Sequence, residues 1–328
     1  MFFPEGLSCN LPRRETLSFA RGRCVFLLLI QLICLSASAA AYAQTKFLEP
    51  GKPISQEIAP KQKQSFRIKT GANNFFRLSV RQQPGVDLVL SLYDARRRKL
   101  AAVGGYRGFL KMENNFPFEA YLGIVSLAFI AGYGGIYEIE LDAEDSPIRG
   151  RYEIEIKDIR QATAMDRKRV AAERFFESGE RLRFPAQSQE DLRLALKHYE
   201  NALTIYRRIS DVAGQAAAFD AMGLTHAVLQ NLDKAVEYAE TAVKLHRSTG
   251  DRAKTAHALI HLAGIHHARH EEVKLVAEAD EILQIWRELG DKRNEARALV
   301  GYPMIIRKPV DDPNYRLQVV ETYLRAAD

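Results

Sequence analysis

Five histidines crowd into residues 257–270, His257, His261, His266, His267 and His270, and two carboxylates, Glu271 and Glu272, follow directly. The pairs His257/His261 and His266/His270 are spaced i, i+4, which on a helix puts two imidazoles on one face, where they could meet a zinc or nickel ion. A metal site needs further ligands fixed in space, and this spacing supplies two at a time. The competing reading takes the same residues as polar positions on one helix face and in the turn after it. Elsewhere there is no glycine-rich phosphate loop, no nucleophile elbow and no Ser/His/Asp constellation, so neither a catalytic residue nor a cofactor is expected.

Thiol chemistry is confined to the beginning of the chain. All three cysteines, Cys9, Cys24 and Cys34, lie within residues 1–43, a stretch that reads as a secretory signal. Basic residues end at Arg23, an apolar run covers Cys24–Leu35, and Ala41-Tyr42-Ala43 forms a peptidase site before Gln44. The run is shorter than the roughly 20 residues that span a bilayer. Cleavage after Ala43 would leave a cysteine-free protein in the periplasm or outside the cell, and contact with a membrane is expected only if the signal stays on.

The net charge of +6 falls to +4 once the signal is set aside, too little to argue for nucleic acid. Arg96-Arg97-Arg98-Lys99 concentrates charge, but in a hairpin turn without interleaved aromatic residues, so solvated charge is expected there.

Two kinds of periodicity divide the remainder. Residues 44–160 alternate with period two and are rich in β-branched and aromatic residues. The pattern predicts strands at 54–59, 65–70, 74–81, 87–93, 99–103, 121–130, 136–141 and 152–157, and so an antiparallel, jelly-roll-like β-sandwich. Phe66, Ile68, Phe76, Leu78, Val80, Leu88, Leu90, Leu92, Ile154 and Ile156 are its expected core. Residues 161–300 change to Ala, Glu, Arg and Leu with a 3.6-residue period, the mark of helices.

Within the helical half one stripe recurs every 40 residues: Ala195, Tyr199, Ala202, Tyr206; then Ala235, Ala239, Ala242, His246; then Leu275, Ala279, Ile282, Trp286. Each copy ends alike, in Ser210-Asp211, Gly250-Asp251 and Gly290-Asp291, with the aspartates placed as N-caps. A constant interval implies stacked units and hence an α-solenoid. Gly301-Tyr302-Pro303 interrupts the next unit, so residues 301–328 are expected to be a divergent cap or a shortened repeat.

The helical half resembles tetratricopeptide repeats. Phe175, Gly179, Ala195, Tyr199 and Ala202 match a first repeat; Phe219, Gly223, Ala235 and Ala242 match a second, with Ala239 at the aromatic position; Leu259, Ala263 and Ala279 match a third. The 40-residue interval exceeds the usual length of about 34. The order of signal, sandwich with Val86 to Asp94, Gly150-Arg151-Tyr152-Glu153-Ile154, then Ala171-Ala172-Glu173-Arg174 and long repeats resembles bacterial CHAT-associated tetratricopeptide proteins, and the sandwich resembles a pre-peptidase C-terminal domain. In that family a caspase-like peptidase module follows the repeats. Residues 1–328 include none, so the resemblance implies architecture rather than catalysis.

What it implies functionally is a non-catalytic scaffold whose groove takes a peptide or protein. The groove positions would be Ala217, Asp220, Leu224, Ala227 and Val228, then His257, Ile260, Gly264, His267 and Ala268. Ala221 and His261 stand where chaperone-binding relatives carry a carboxylate-clamping asparagine, so a clamp for C-terminal peptides is not expected. The alternative reading is the regulatory front of a caspase-like peptidase whose catalytic module is a separate partner.

Overall fold

The computed structural model describes residues 46–299 except 84–85, 105–123, 145, 147, 184–187 and 293. The signal, the cap at 301–328, residues 121–123 of one expected strand and the Phe184-Pro185 break lie outside the described residues.

Among the described residues nine strands come first: β1 (Lys46–Phe47), β2 (Ile54–Ile58), β3 (Lys63–Thr70), β4 (Asn74–Gln82), β5 (Val89–Tyr93), β6 (Lys99–Gly104), β7 (Ile124–Ile130), β8 (Gly135–Asp142) and β9 (Gly150–Gln161). They form a five-stranded sheet, β1-β3-β8-β5-β6, and a four-stranded sheet, β2-β9-β4-β7. Period two decides which face each residue takes, so the inward sets Phe66/Ile68, Leu90/Leu92 and Ile139/Leu141 of one sheet meet Leu78/Val80, Leu127/Phe129 and Ile154/Ile156 of the other in one core. All ten expected core residues are buried there. Tyr137 is fully buried among Phe76 and Phe129 and satisfies its hydroxyl by donating to the Tyr133 carbonyl, 2.9 Å away. The short β1 carries too little pattern to be found from sequence.

The basic turn is held by local geometry. Asp94 accepts from the backbone N–H groups of Arg96 and Arg98 at 2.9 and 2.8 Å, while Arg97 lies over the Tyr93 ring and pairs with Glu138 and Glu140 across the sheet. These arginines answer the acidic row on β8, as a solvated face would.

Among the described residues six full helices follow, α1 (Ala164–Arg183), α2 (Gln189–Arg208), α3 (Val212–Val228), α4 (Leu232–Ser248), α5 (Arg252–Ala268) and α6 (Glu272–Leu289), and residues 294–299 are again helical. Each packs chiefly on its neighbour in sequence, and α3 also touches α1 and α5. Among the described residues no helix is long and apolar enough to cross a membrane.

The two halves meet where β9 passes into α1. A register shift between Arg77 and Leu78 accompanies the burial of Phe75 outside the sandwich core, beside Ala128 of β7 and Val170 of α1. The first turn of α1 is fixed by a reciprocal cap: Thr163 N–H donates to Asp166 at 2.8 Å, and Asp166 N–H donates to Thr163 Oγ1 at 3.2 Å. Arg160, the penultimate residue of the long strand, forks onto both oxygens of Asp166 at 2.5 and 2.9 Å. The Arg160 guanidinium, aided by Thr163, holds the Asp166 carboxyl well below its usual range despite burial.

Asp166→Ala should therefore lower the thermal midpoint, at a cost of about 1–2 kcal/mol for the lost cap. Because the folded pKa lies below the unfolded one, this contribution is complete above pH ~4 and disappears as pH falls through the folded value. Thermal unfolding of wild type and variant at neutral pH and at pH 3 would show the gap between them narrowing in acid.

Candidate functional site

The repeated stripe is buried in all three copies: Ala195, Tyr199, Ala202 and Tyr206 are 0–5% exposed, Ala235 to His246 0–6%, and Leu275 to Trp286 1–2%. Small residues on the facing helices admit it. A Cβ on Gly179 would stand 2.5 Å from the Tyr199 ring, and one on Gly223 would stand 3.2 Å from the backbone of Ala235 and Ala239. The second copy has Ala239 in place of the aromatic residue, and it is the backbone of α4 that lies against Gly223.

A finer interval runs through the array. Ser210, Gln230, Gly250, His270 and Gly290 all take a left-handed conformation, one in each turn and twenty residues apart. In four of these turns the next residue's N–H donates to a carbonyl five residues back: Asp211 to Tyr206, Asn231 to His226, Glu271 to His266 and Asp291 to Trp286, at 2.9–3.0 Å. Asp211, Asp251 and Asp291 then cap the following helices by accepting from Gly214, Lys254 and Asn294. The residues that open each turn are rings: Tyr206, His226, His246, His266 and Trp286, all buried. His246 and His266 thus belong to a packing series, not to a ligand set.

The histidines accordingly disperse among different partners. His261 of α5 places Nδ1 2.8 Å from both oxygens of Asp220 on α3. His266 places Nδ1 2.7 Å from Glu278 of α6, with Glu271 3.6 Å from its other nitrogen. His257 meets Trp286 edge to face at 5.3 Å, and His270 is the left-handed residue of the turn. Among the described residues no group of three His, Cys, Asp or Glu side chains is arranged to hold a metal ion. Helical spacing aligned His257, His261, His266 and His270 in pairs, but among the described residues neighbouring helices claim the rings separately.

The positions expected to line a groove are mostly enclosed. Leu224, Ala227, His257 and Ile260 are 3–5% exposed; Asp220 and His267 are half-buried, and Val228 is 50% exposed at the end of α3. On α5, residues 255–266 are buried without interruption, which is how a helix covered on all sides behaves. Accessible surface at these positions therefore lies at the C-terminal ends of α3 and α5, at Val228 and His267, and at Asp220 midway along α3.

Buried polar groups form the electrostatic frame of the array. Arg183 at the end of α1 donates to Glu180 through Nε and Nη2, at 3.2 and 2.6 Å, and to the Tyr199 hydroxyl at 3.2 Å; that hydroxyl in turn donates to Glu180 at 2.6 Å. Burial, together with the Glu180 charge, keeps Tyr199 protonated. Burial raises the Asp220 carboxyl, but His261, His246 and Arg183 pull it back below its ordinary range. Glu278 moves the other way: burial outweighs His266 and raises it. None of these arrangements aligns a nucleophile with a base; their geometry holds helices together. The Asp220–His261 pair, 41 residues apart, could have been suspected from sequence because it is one repeat plus one position.

No family model matches the chain, and no curated protein matches it. Among solved structures, it is similar to the pre-peptidase C-terminal domain of a collagenase from Bacillus anthracis, over 35% of this chain and 95% of that one, at 15% identity and a TM-score of 0.26. It is also similar to PliG, a periplasmic inhibitor of g-type lysozyme from Aeromonas hydrophila, over 35% of this chain and 96% of that one, at 8% identity and a TM-score of 0.24. At such scores neither likeness carries an argument.

Proposed function

We propose that this chain is an exported, non-catalytic scaffold whose helical half is a tetratricopeptide-like array that binds a peptide or protein. The observation that carries the reading is the 40-residue repeat of buried contacts, Ala195 to Tyr206, Ala235 to His246 and Leu275 to Trp286, because units that bury the same stripe at a constant interval stack in one direction and present an extended surface. The β-sandwich, joined through Phe75, Ala128 and Val170, acts as a spacer or a second binding module.

The half-open positions concentrate the partner's contacts near Val228, Asp220 and His267. Val228→Lys with His267→Lys tests this, since a cation near a helix C-terminus is compatible with the helix dipole and should leave the fold intact. The full chain and the double variant, matched by circular dichroism, are used as paired baits on the secreted and periplasmic fraction of the source cell, and each retained species is then titrated. The expected result is a species that binds the wild type and binds the variant about tenfold or more weakly, a loss of ~1.4 kcal/mol or more. Equal retention by both baits, or retention by neither, overturns the reading.

A further inference from the structure

His226 and His246 occupy places that Tyr206 and Trp286 fill in the same series, so the array uses two ionisable rings as apolar plugs. His226 is 8% exposed, its Nδ1 makes no hydrogen bond, and what faces it from α4 is the Tyr238 ring at 5.4 Å and the ammonium of Lys234. His246 is 6% exposed and its Nδ1 likewise makes no hydrogen bond. Facing it are Asp220 of α3, Asp251 of the α4–α5 turn, and Lys254 and His261 of α5.

The two carboxylates near His246 are already engaged. Both oxygens of Asp220 accept from His261, and Asp251 accepts from the Lys254 N–H with one oxygen while the other lies 3.5 Å from the Lys254 ammonium. An imidazolium at either position would be buried beside a lysine, with no acceptor committed to its Nδ1, a state disfavoured unless the surroundings open.

We infer that helices α3 to α5 form an acid-operated hinge: protonation of His226 and His246 opens the middle of the array while the β-sandwich stays folded. Burial, seconded by Lys234, lowers the His226 pKa, and burial, outweighing Asp220, lowers that of His246. The sign follows. A folded pKa below the unfolded value of about 6.5 means that the stabilising effect is complete above that pH and is lost as pH falls beneath it, because the opened state then binds more protons. His261 and His266 differ in that each already lies against a carboxylate.

Amide hydrogen exchange of the full chain at pH 7.5 and pH 5.0, corrected for intrinsic rates, reads the opening element by element. The expected result is protection in α3–α5 about tenfold or more weaker at pH 5.0, with the strands changed less than twofold. His226→Phe with His246→Phe, which restores the ring type of the flanking positions, should remove that pH response. His226→Gln with His246→Gln, neutral at every pH, must remove it as well and serves if the phenylalanines do not fit. Retention of the acid response by whichever double variant folds, or equal acid loosening of strands and helices, overturns the hinge.

Discussion

Replacing Arg183 with methionine is expected to destabilise the helical half by about 3–5 kcal/mol, because it leaves Glu180 buried without its counter-charge. The carboxylate and the guanidinium are 3% and 5% exposed, so solvent replaces little of what is lost. The Tyr199 hydroxyl still donates to Glu180 in the variant, which keeps one of the interactions and places the expectation inside that range rather than above it. The measurement is urea unfolding followed by the fluorescence of Trp286, the one tryptophan of the chain, which lies in the array and so reports on the helices rather than the sandwich. Removing the triad together, Glu180→Leu, Arg183→Met and Tyr199→Phe, should restore most of the stability, since apolar replacements of similar volume leave no member of the triad unpaired. A triple variant no more stable than Arg183→Met would show that the cost lay in lost packing of the long side chain.

How far such features can be read in advance depends on whether their signal is local. The sandwich core was legible because period two at Phe66/Ile68 or Leu90/Leu92 is written into adjacent residues, and the helices were legible through the 40-residue stripe. The twenty-residue interval was not, because physics fixes a conformation at each turn and not a residue type. Ser210, Gln230 and His270 adopt the same left-handed geometry as Gly250 and Gly290, and tyrosine, histidine and tryptophan serve alike as buried rings. The spacing of the histidines was read correctly as helical, yet a ligand set also requires that no neighbouring helix claim the rings. Asp220 and Glu278, which do claim them, come from elsewhere in the fold. The enclosure of most groove positions has a related origin: a pattern names the inward face of α5 but does not say that the other faces of the same helix are covered too.

Tyr206 and Gly214 allow the packing side of this logic to be tested by a change of sign. The ring is 5% exposed and lies against the first turn of α3, where a Cβ on Gly214 would come within 2.4 Å of it. Tyr206→Ala should cost about 3–5 kcal/mol, the usual range for emptying an aromatic site in a core that can collapse only in part. In the wild type, Gly214→Ala should also destabilise, by about 1–3 kcal/mol, since either the ring or the turn has to move. Asp211 adds resistance to movement of the turn because it accepts from the Gly214 N–H at 2.9 Å. In the Tyr206→Ala background the same Gly214→Ala change meets a void, so overpacking vanishes and what remains is the helix preference of alanine over glycine, about 1 kcal/mol in its favour. The two changes should therefore couple by ~2–4 kcal/mol in a double-mutant cycle read by urea unfolding. A coupling below about 0.5 kcal/mol would mean that glycine is there for the backbone of the cap alone, and that the ring series, from Tyr206 to Trp286, does not set the spacing of the helices.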